Sequence, residues 1–508
     1  MFNRISPNHL TTRLDADFYK PDFILNEAYL KKTGATILSK LIDVKSSGYG
    51  VLPSSNEYCD DGIPLIRGGD LSFGEVISPS VFAPLSYKDG KGTAQTGDVL
   101  ILIKGACIDG PEGVARVKQV NHGHLFNGSC FRLAFTNRDI DGPFFIAYSQ
   151  SKFFLKQKKR QVANTGISYN DEESIHGFLI PELEIDVKKY IGDKVRQAER
   201  LRAWAKRLER SLDAFIEHFQ PEKKEYKKLF SRVPNNLLTN MLTATTYRER
   251  YISNQKNLKA ISRIQPISHY LSSITNGYDE RNEIENGLPY VKVANIRAGY
   301  IDLKNTPRVR LSALTDASAK QKPEKGDLLL TRKGSFGIAA VVMESASFLC
   351  SSEIFSCKPS KPEFMPILSW FLNSEAGNMQ FWQFSTGTTM PGINQENLQN
   401  ILIPDFSACD IEQFNSIHKN RYEAKNNAEL LTDTAKILVE ALIEGHLTEQ
   451  QLIQAQQALE DGDNSFDQAI LSKLSAEGYA IEGATPLFSD VDELYSLLEE
   501  AAQAEAEE

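Results

Sequence analysis

One block of residues occurs twice in this chain, and that duplication constrains the fold more than any other feature. Gly62-Ile-Pro-Leu-Ile-Arg67-Gly-Gly-Asp70 returns as Gly287-Leu-Pro-Tyr-Val-Lys292-Val-Ala-Asn295. Gly97-Asp98-Val-Leu-Ile-Leu-Ile-Lys104-Gly105 returns as Gly326-Asp327-Leu-Leu-Leu-Thr-Arg332-Lys333-Gly334. Pro143 to Ser151 is matched by Pro366 to Ser374, and Thr165-Gly166 with Ile180-Pro181 by Thr386-Gly387 with Ile403-Pro404. An ordered series of blocks repeated at a near-constant offset implies two copies of one folding unit. The apolar runs between Gly-Asp and Lys-Gly turns read as buried strands, and the Pro143 and Pro366 segments as helices.

After each Ile-Pro the pattern changes to a long helix. Ile191, Val195, Ala198, Leu201, Ala205, Leu208, Leu212, Phe215 and Phe219 alternate by threes and fours. Phe414, Ile417, Ala424, Ala428, Leu431, Ala435, Leu438 and Leu442 do the same, broken at Arg421. This spacing is a coiled-coil seam, and each stripe needs a partner face that the other copy can supply. The expected fold is α+β: two tandem mixed α/β domains separated by two long helices that form an antiparallel coiled coil with pseudo-two-fold symmetry. The expected boundaries are a first domain at 1–186, first helix at 187–222, linker at 223–252, second domain at 253–408, second helix at 409–446 and an acidic helical tail at 447–508.

The net charge of −9 hides an asymmetry. From His446 onward there are 15 acidic residues against the single Lys473, a net of −14, which leaves the rest of the chain at +5. Bases cluster at Lys188, Lys189, Lys194, Arg196, Arg200, Arg202, Lys206, Arg207 and Arg210, then at Lys223, Lys224, Lys227 and Lys228. Such a run is a solvated coiled-coil face or a contact for phosphate or a partner. The six cysteines lack CxxC spacing, so a zinc site and a disulfide framework are both unsupported. With no apolar run near 18 residues and no signal-peptide core, a cytoplasmic protein without membrane contact is expected.

The tandem blocks, each followed by a long helix, resemble the specificity subunit of type I restriction-modification enzymes across about residues 30–445. The resemblance implies two target-recognition domains that read the halves of a bipartite double-stranded DNA site. It also implies partners: two adenine-N6 methyltransferase subunits that use S-adenosylmethionine, and translocating nuclease subunits that use ATP and Mg. This chain itself would carry no cofactor and no catalytic residues. The first copy departs from the usual pattern in having Asp70 where the second has Asn295, and the tail lies outside the resemblance.

Candidate DNA-binding residues follow from side-chain chemistry. Arg67 and Lys292 can donate to guanine, and Asn295 can pair with adenine; the alternative for Asp70 and Asn295 is a turn cap. Lys104 and Lys333, beside Gly105 and Gly334, suit a phosphate point contact, reinforced by Arg332 in the second copy, or are solvated strand ends. Ser168, Tyr169 and Asn170 in one loop, and Thr388 and Thr389 in the other, can meet phosphates or bases, or form ordinary polar turns. No Asn/Asp-Pro-Pro-aromatic tetrapeptide and no GxxxxGK[ST] loop occurs, which argues against methylation or ATP hydrolysis by this chain. Two other readings stay open: a coiled-coil scaffold with two protein-binding globules in a defence complex, and a fused restriction enzyme with its own catalytic part. For the tail, a solvated appendage, a partner dock and an acidic DNA-mimicking brake are the alternatives.

Overall fold

A computed structural model describes residues 10–507 except 11–12, 14, 89–91, 106–107, 163–168, 222–231, 236–237, 240, 242 and 388. The chain divides into two compact units, residues 1–205 with 423–508 and residues 206–422. Each unit contains one copy of the repeat, and the copies share the order of four strands in the main sheet.

In the first unit the helix Pro21–Lys32 leads into the strand Ala35–Ile37, which pairs antiparallel with Leu179–Pro181. The main sheet orders Gly48–Tyr49, Cys130–Leu133, Val99–Leu102 and Val114–Arg116, then Gly74–Val76 and Leu71–Ser72. A second sheet places Ile63–Ile66 between Phe82–Ala83 and a parallel neighbour, Leu125–Phe126. The helices Asp141–Ser149 and Lys152–Gln161 follow.

The second unit repeats this plan. The helix Glu249–Ile261 precedes Ile264–Pro266, which pairs with Leu402–Pro404. Its main sheet runs Leu271–Asn276, Ile354–Pro359, Leu328–Thr331, Ala339–Val341, the same order as the first four strands above. Leu288–Val291 again sits between an antiparallel strand, Arg308–Val309, and a parallel one, Leu349–Cys350. The helix Glu249–Ile261 begins inside the stretch expected to be linker because Tyr251, Ile252, Gln255 and Leu258 form a buried helical stripe.

The Gly-Asp turns have a physical cause. Gly97 and Gly326 adopt φ of +86° and +91°, which a side chain would strain. The buried Asp98 and Asp327 then accept from the backbone N–H of Gln95 at 3.1 Å and of Glu324 at 2.7 Å. Each turn delivers a central strand, Val99–Leu102 or Leu328–Thr331, that is buried along its whole length.

Each globule is also closed by a glutamine. Gln157 donates to Leu179 O at 2.9 Å and accepts from Leu179 N at 2.8 Å. Gln380 makes the same pair with Leu402, at 2.9 and 2.8 Å. Asn26 and Asn254 each donate to a main-chain carbonyl one helix away, Phe153 O and Ala376 O. The repeat therefore begins at the first helix of each copy, before the part the sequence motifs covered.

The long helices are Ile185–Ile216 and Ala408–Glu444. In the first unit Ile191, Val195, Ala198, Leu201 and Ala205 are buried, as are Ala424, Ala428, Leu431, Ala435 and Leu438, and Arg202 donates to Thr432 Oγ1 at 2.5 Å. In the second unit Leu212, Ile216 and Phe219 enter the globule's own core with Leu328, Phe371 and Phe414. There Arg421 meets Glu209 at 2.8 Å and Phe215 meets Phe414 edge-on at 5.6 Å, so these stretches run antiparallel within that unit. Arg421 breaks the apolar stripe but is satisfied: besides Glu209, its guanidinium lies 5.1 Å from the Trp370 ring. Leu208, Phe215, Ile417 and Leu442 of the seam are only half-buried.

The acidic tail folds as part of the first unit, with helices Glu449–Glu460, Ser465–Leu471 and Val491–Ala506. It is not a solvated appendage. Asp467, 1% exposed, accepts from Tyr190 at 2.5 Å, from Lys194 at 2.6 and 2.8 Å and from Tyr495 at 2.5 Å. Lys189 pairs with Glu460, and Arg200 with Glu505 at 3.1 Å. Among the described residues no helix is long and apolar enough to cross a membrane. Cys130, Cys350 and Cys357 are buried free thiols, Cys59 is half-buried and Cys409 exposed.

Candidate nucleic-acid interface

In the first unit the central strand ends at Leu102, and the chain then exposes Lys104 beside Gly105, whose φ is +132°. Lys104 forms a β-bridge with Tyr169, and Asn170 N donates to Ile103 O at 2.9 Å. Two blocks 65 residues apart in sequence are thus joined at one edge. Tyr169 is 40% exposed, whereas Asn170 is buried and its Nδ2 donates to Lys158 O at 3.4 Å. Ser168 lies outside the described residues.

The second unit repeats the junction with different side chains. Lys333, exposed, bridges to Gly392, and Ile393 N donates to Arg332 O at 2.9 Å. Thr386 and Gly392 pair through two main-chain bonds of 2.8 and 2.9 Å, forming a loop that exposes Thr389 and Met390. Gly392 is required there, since a Cβ would lie 2.7 Å from Arg332 O. Arg332 itself is half-buried, donating to Ser352 O at 3.2 Å with its guanidinium 5.3 Å from the Phe355 ring centre. Thr388 lies outside the described residues. Among the described residues the ammonium groups of Lys104 and Lys333 have no hydrogen-bonding or ionic partner.

The Arg67 and Lys292 turns are alike in both copies. Arg67 N donates to Asp70 Oδ2 at 2.7 Å, and Lys292 N to Asn295 Oδ1 at 3.0 Å. Asp70 and Asn295 are buried, 6% and 7% exposed, so here their side chains cap the turn and present nothing to a base. Their difference has a local cause: Asn295 Nδ2 donates to Asn305 O at 3.1 Å, which a carboxylate could not do, while Asp70 lies 3.7 Å from Arg67 Nε. Arg67 stays partly exposed, reaching Ser80 Oγ at 3.1 Å, and the exposed Lys292 pairs with Glu283. The Arg67 turn is tied to the central strand, because a Cβ at Gly68 would fall 2.5 Å from Leu102 Cδ1.

Five bases of the run on the first long helix have acidic partners, while Lys206 and Arg210 farther along are exposed. Lys188 pairs with Asp141, Arg196 with Asp193, and Lys189, Lys194 and Arg200 with tail carboxylates. Those bases are occupied within the first unit, which removes them as a phosphate surface in this arrangement. Lys223, Lys224, Lys227 and Lys228 lie outside the described residues.

The sequence reading missed the glutamine and asparagine clips and the Asp467 cluster. The clips had a signal: Ser151 and Gln157 share their spacing with Ser374 and Gln380, and both serines cap the following helix through Phe154 N and Gly377 N. The Asp467 cluster had none, since Tyr190 and Lys194 lie 277 and 273 residues away in the chain. Among the described residues no group of His, Cys, Asp and Glu is placed to hold a metal ion.

No family model matches the sequence, and no curated protein matches it. Three solved structures that it resembles come from type I restriction-modification systems. The S subunit of such a system from M. genitalium matches at 12% identity and a TM-score of 0.40, over 83% of this chain and 95% of that one. A structure described as the basis of complex assembly and conformational transition of the type I R-M system matches at 14% identity and a TM-score of 0.29, over 83% and 96%. The HsdS subunit from Thermoanaerobacter tengcongensis matches at 15% identity and a TM-score of 0.28, over 81% and 97%.

Proposed function

We propose that this chain is the non-catalytic, DNA-reading specificity subunit of a type I restriction-modification complex, each globule reading one half of a bipartite site. One observation carries the reading. In both copies an exposed lysine at the exit of a buried strand, with no ionic or hydrogen-bonding partner among the described residues, is bridged to a Thr-Gly or Tyr-Asn loop, on similar frames with unlike side chains. Similar frames suit one backbone geometry met twice, and unlike side chains suit two different base sequences. Lys104, Lys333, Arg67 and Lys292 are the proposed phosphate and base contacts, with Tyr169 and Thr389 as further contacts, and Ser168 and Thr388 are carried as candidates from the sequence alone. Asn170 and Arg332 shape the loops from beneath.

The two long helices would form an antiparallel pair that sets the gap between half-sites. A helix of about 30 residues spans roughly 45 Å, near the ~34–36 Å between half-site centres one DNA turn apart. Two adenine-N6 methyltransferase subunits, with S-adenosylmethionine, would dock on this frame and supply the chemistry, and translocating nuclease subunits would complete the restriction complex. The experiment is a footprint of the chain with its methyltransferase on DNA. Two short protected elements flanking a nonspecific gap are expected, and one continuous element or no protection would sink the proposal. Removing one heptad from both long helices should change the accepted gap; an unchanged gap refutes the ruler alone.

A further inference from the structure

Lys158 is fully buried in the first globule, a costly place for an ammonium without a close counter-charge. Its Nζ reaches Gly110 O at 3.5 Å, on the turn that follows Lys104. Glu112 folds back over the same glycine, so that a Cβ there would lie 2.4 Å from Glu112 Oε2. From its other end, Lys158 offers its main-chain carbonyl to Asn170 Nδ2, and Asn170 is bonded to Ile103. One residue therefore touches both segments that flank Lys104. Burial pushes the ammonium down to about 8, while Glu112 and Asp109, the acidic groups facing it, pull the other way.

The second copy shows what the frame alone requires. Ser151 and Gln157 align with Ser374 and Gln380, which places Lys158 opposite Phe381. Phe381 is buried against Gly337, where a Cβ would fall 2.9 Å from its ring. An apolar ring fills this position without any charge. The first copy has a lysine there and also two carboxylates, Asp109 and Glu112, on the turn it supports; the second copy's turn, from Gly334 to Gly337, has none.

We propose that Lys158 is a positioning residue of the first reading surface: it holds the 108–113 turn beside Lys104 and offsets the negative charge of Asp109 and Glu112 there. The inference rests on the DNA-reading proposal. An uncompensated carboxylate near Lys104 would repel phosphate at the place where a cation is presented.

The test uses the full chain and a randomised duplex DNA library, with Lys158→Met, Glu112→Gln and the double variant. The element read by the first unit is identified as the one weakened by Lys104→Ala. Lys158→Met should weaken that element about tenfold, roughly the effect of one unpaired charge near a phosphate, and leave the second element at wild-type strength. Adding Glu112→Gln should restore most of the loss, which a purely structural role for Lys158 would not allow. No effect of Lys158→Met on the first element, or a loss that Glu112→Gln does not repair, overturns the inference. A wild-type chain that enriches no sequence overturns the DNA-reading proposal and this inference with it.

Discussion

Replacing Asp467 with alanine should release the tail from the first long helix. The carboxylate is 1% exposed and is the shared acceptor for Lys194, Tyr190 and Tyr495. Without it the buried Lys194 ammonium loses its counter-charge, and removing one partner of a buried pair costs about 3–5 kcal/mol. Two hydroxyls lose a charged acceptor at about 1–3 kcal/mol each, but the terms share one carboxylate and do not add. A net loss of about 4 kcal/mol raises the opening constant of the tail roughly a thousandfold. Amide hydrogen exchange over residues 449–506 reads this directly. A rise of less than about tenfold would refute the reasoning. The paired replacement Lys194→Met with Asp467→Leu should recover the part of the loss due to the unpaired ammonium, because an apolar pair avoids the desolvation cost, while the two tyrosine hydroxyls still lack their acceptor. Burial would raise the Asp467 carboxyl, but the charge of Lys194 and the three donors outweigh it and hold it below the ordinary value of 3.8. Its contribution is therefore present above about pH 4 and lost as pH falls through the folded value.

Substituting Lys104 or Lys333 with alanine should weaken binding to random DNA and lower the slope of log affinity against log salt by about 0.9 each; an unchanged slope removes that residue from the interface. A slope near zero for the wild-type chain would instead favour globules that bind proteins. Gln157→Leu should cost the first unit, and Gln380→Leu the second, about 2–3 kcal/mol for two lost main-chain bonds, seen as a shifted denaturation midpoint. Lys158 has a folded value near 8 against the ordinary 10.5, so between them the unfolded chain holds a proton that the folded chain lacks. Stability should accordingly rise with pH across this window by up to about 3 kcal/mol. Lys158→Met should abolish that rise, and parallel pH curves for the two proteins would contradict it.

The central strands were readable because Val99–Leu102 and Leu328–Thr331 are apolar runs between turns whose Gly and Asp have fixed local roles. The long helices were readable because their stripes are long and periodic. Sheet order was not, since the parallel pairing of Leu65 with Leu125 and Tyr290 with Leu349 depends on contacts about 60 residues apart. For Asp70 and Asn295 the ambiguity was chemical. The groups that cap a turn are the groups that meet a base, and only burial separates the two roles. The basic helix misled for a related reason: Lys189, Lys194 and Arg200 are an open cationic face until the carboxylates of Glu460, Asp467 and Glu505 arrive from the far end of the chain.

The pairing of Ala35–Ile37 with Leu179–Pro181, and of Ile264–Pro266 with Leu402–Pro404, has an engineering consequence. Chain entry and chain exit of each globule lie side by side as neighbouring strands, about 5 Å apart. Each globule is thus an insert closed at a narrow neck, with Gln157 or Gln380 fastening the exit strand. A foreign recognition module of different size could be grafted between such strands provided its own ends meet as neighbours, and the long helix that follows would begin in the same place.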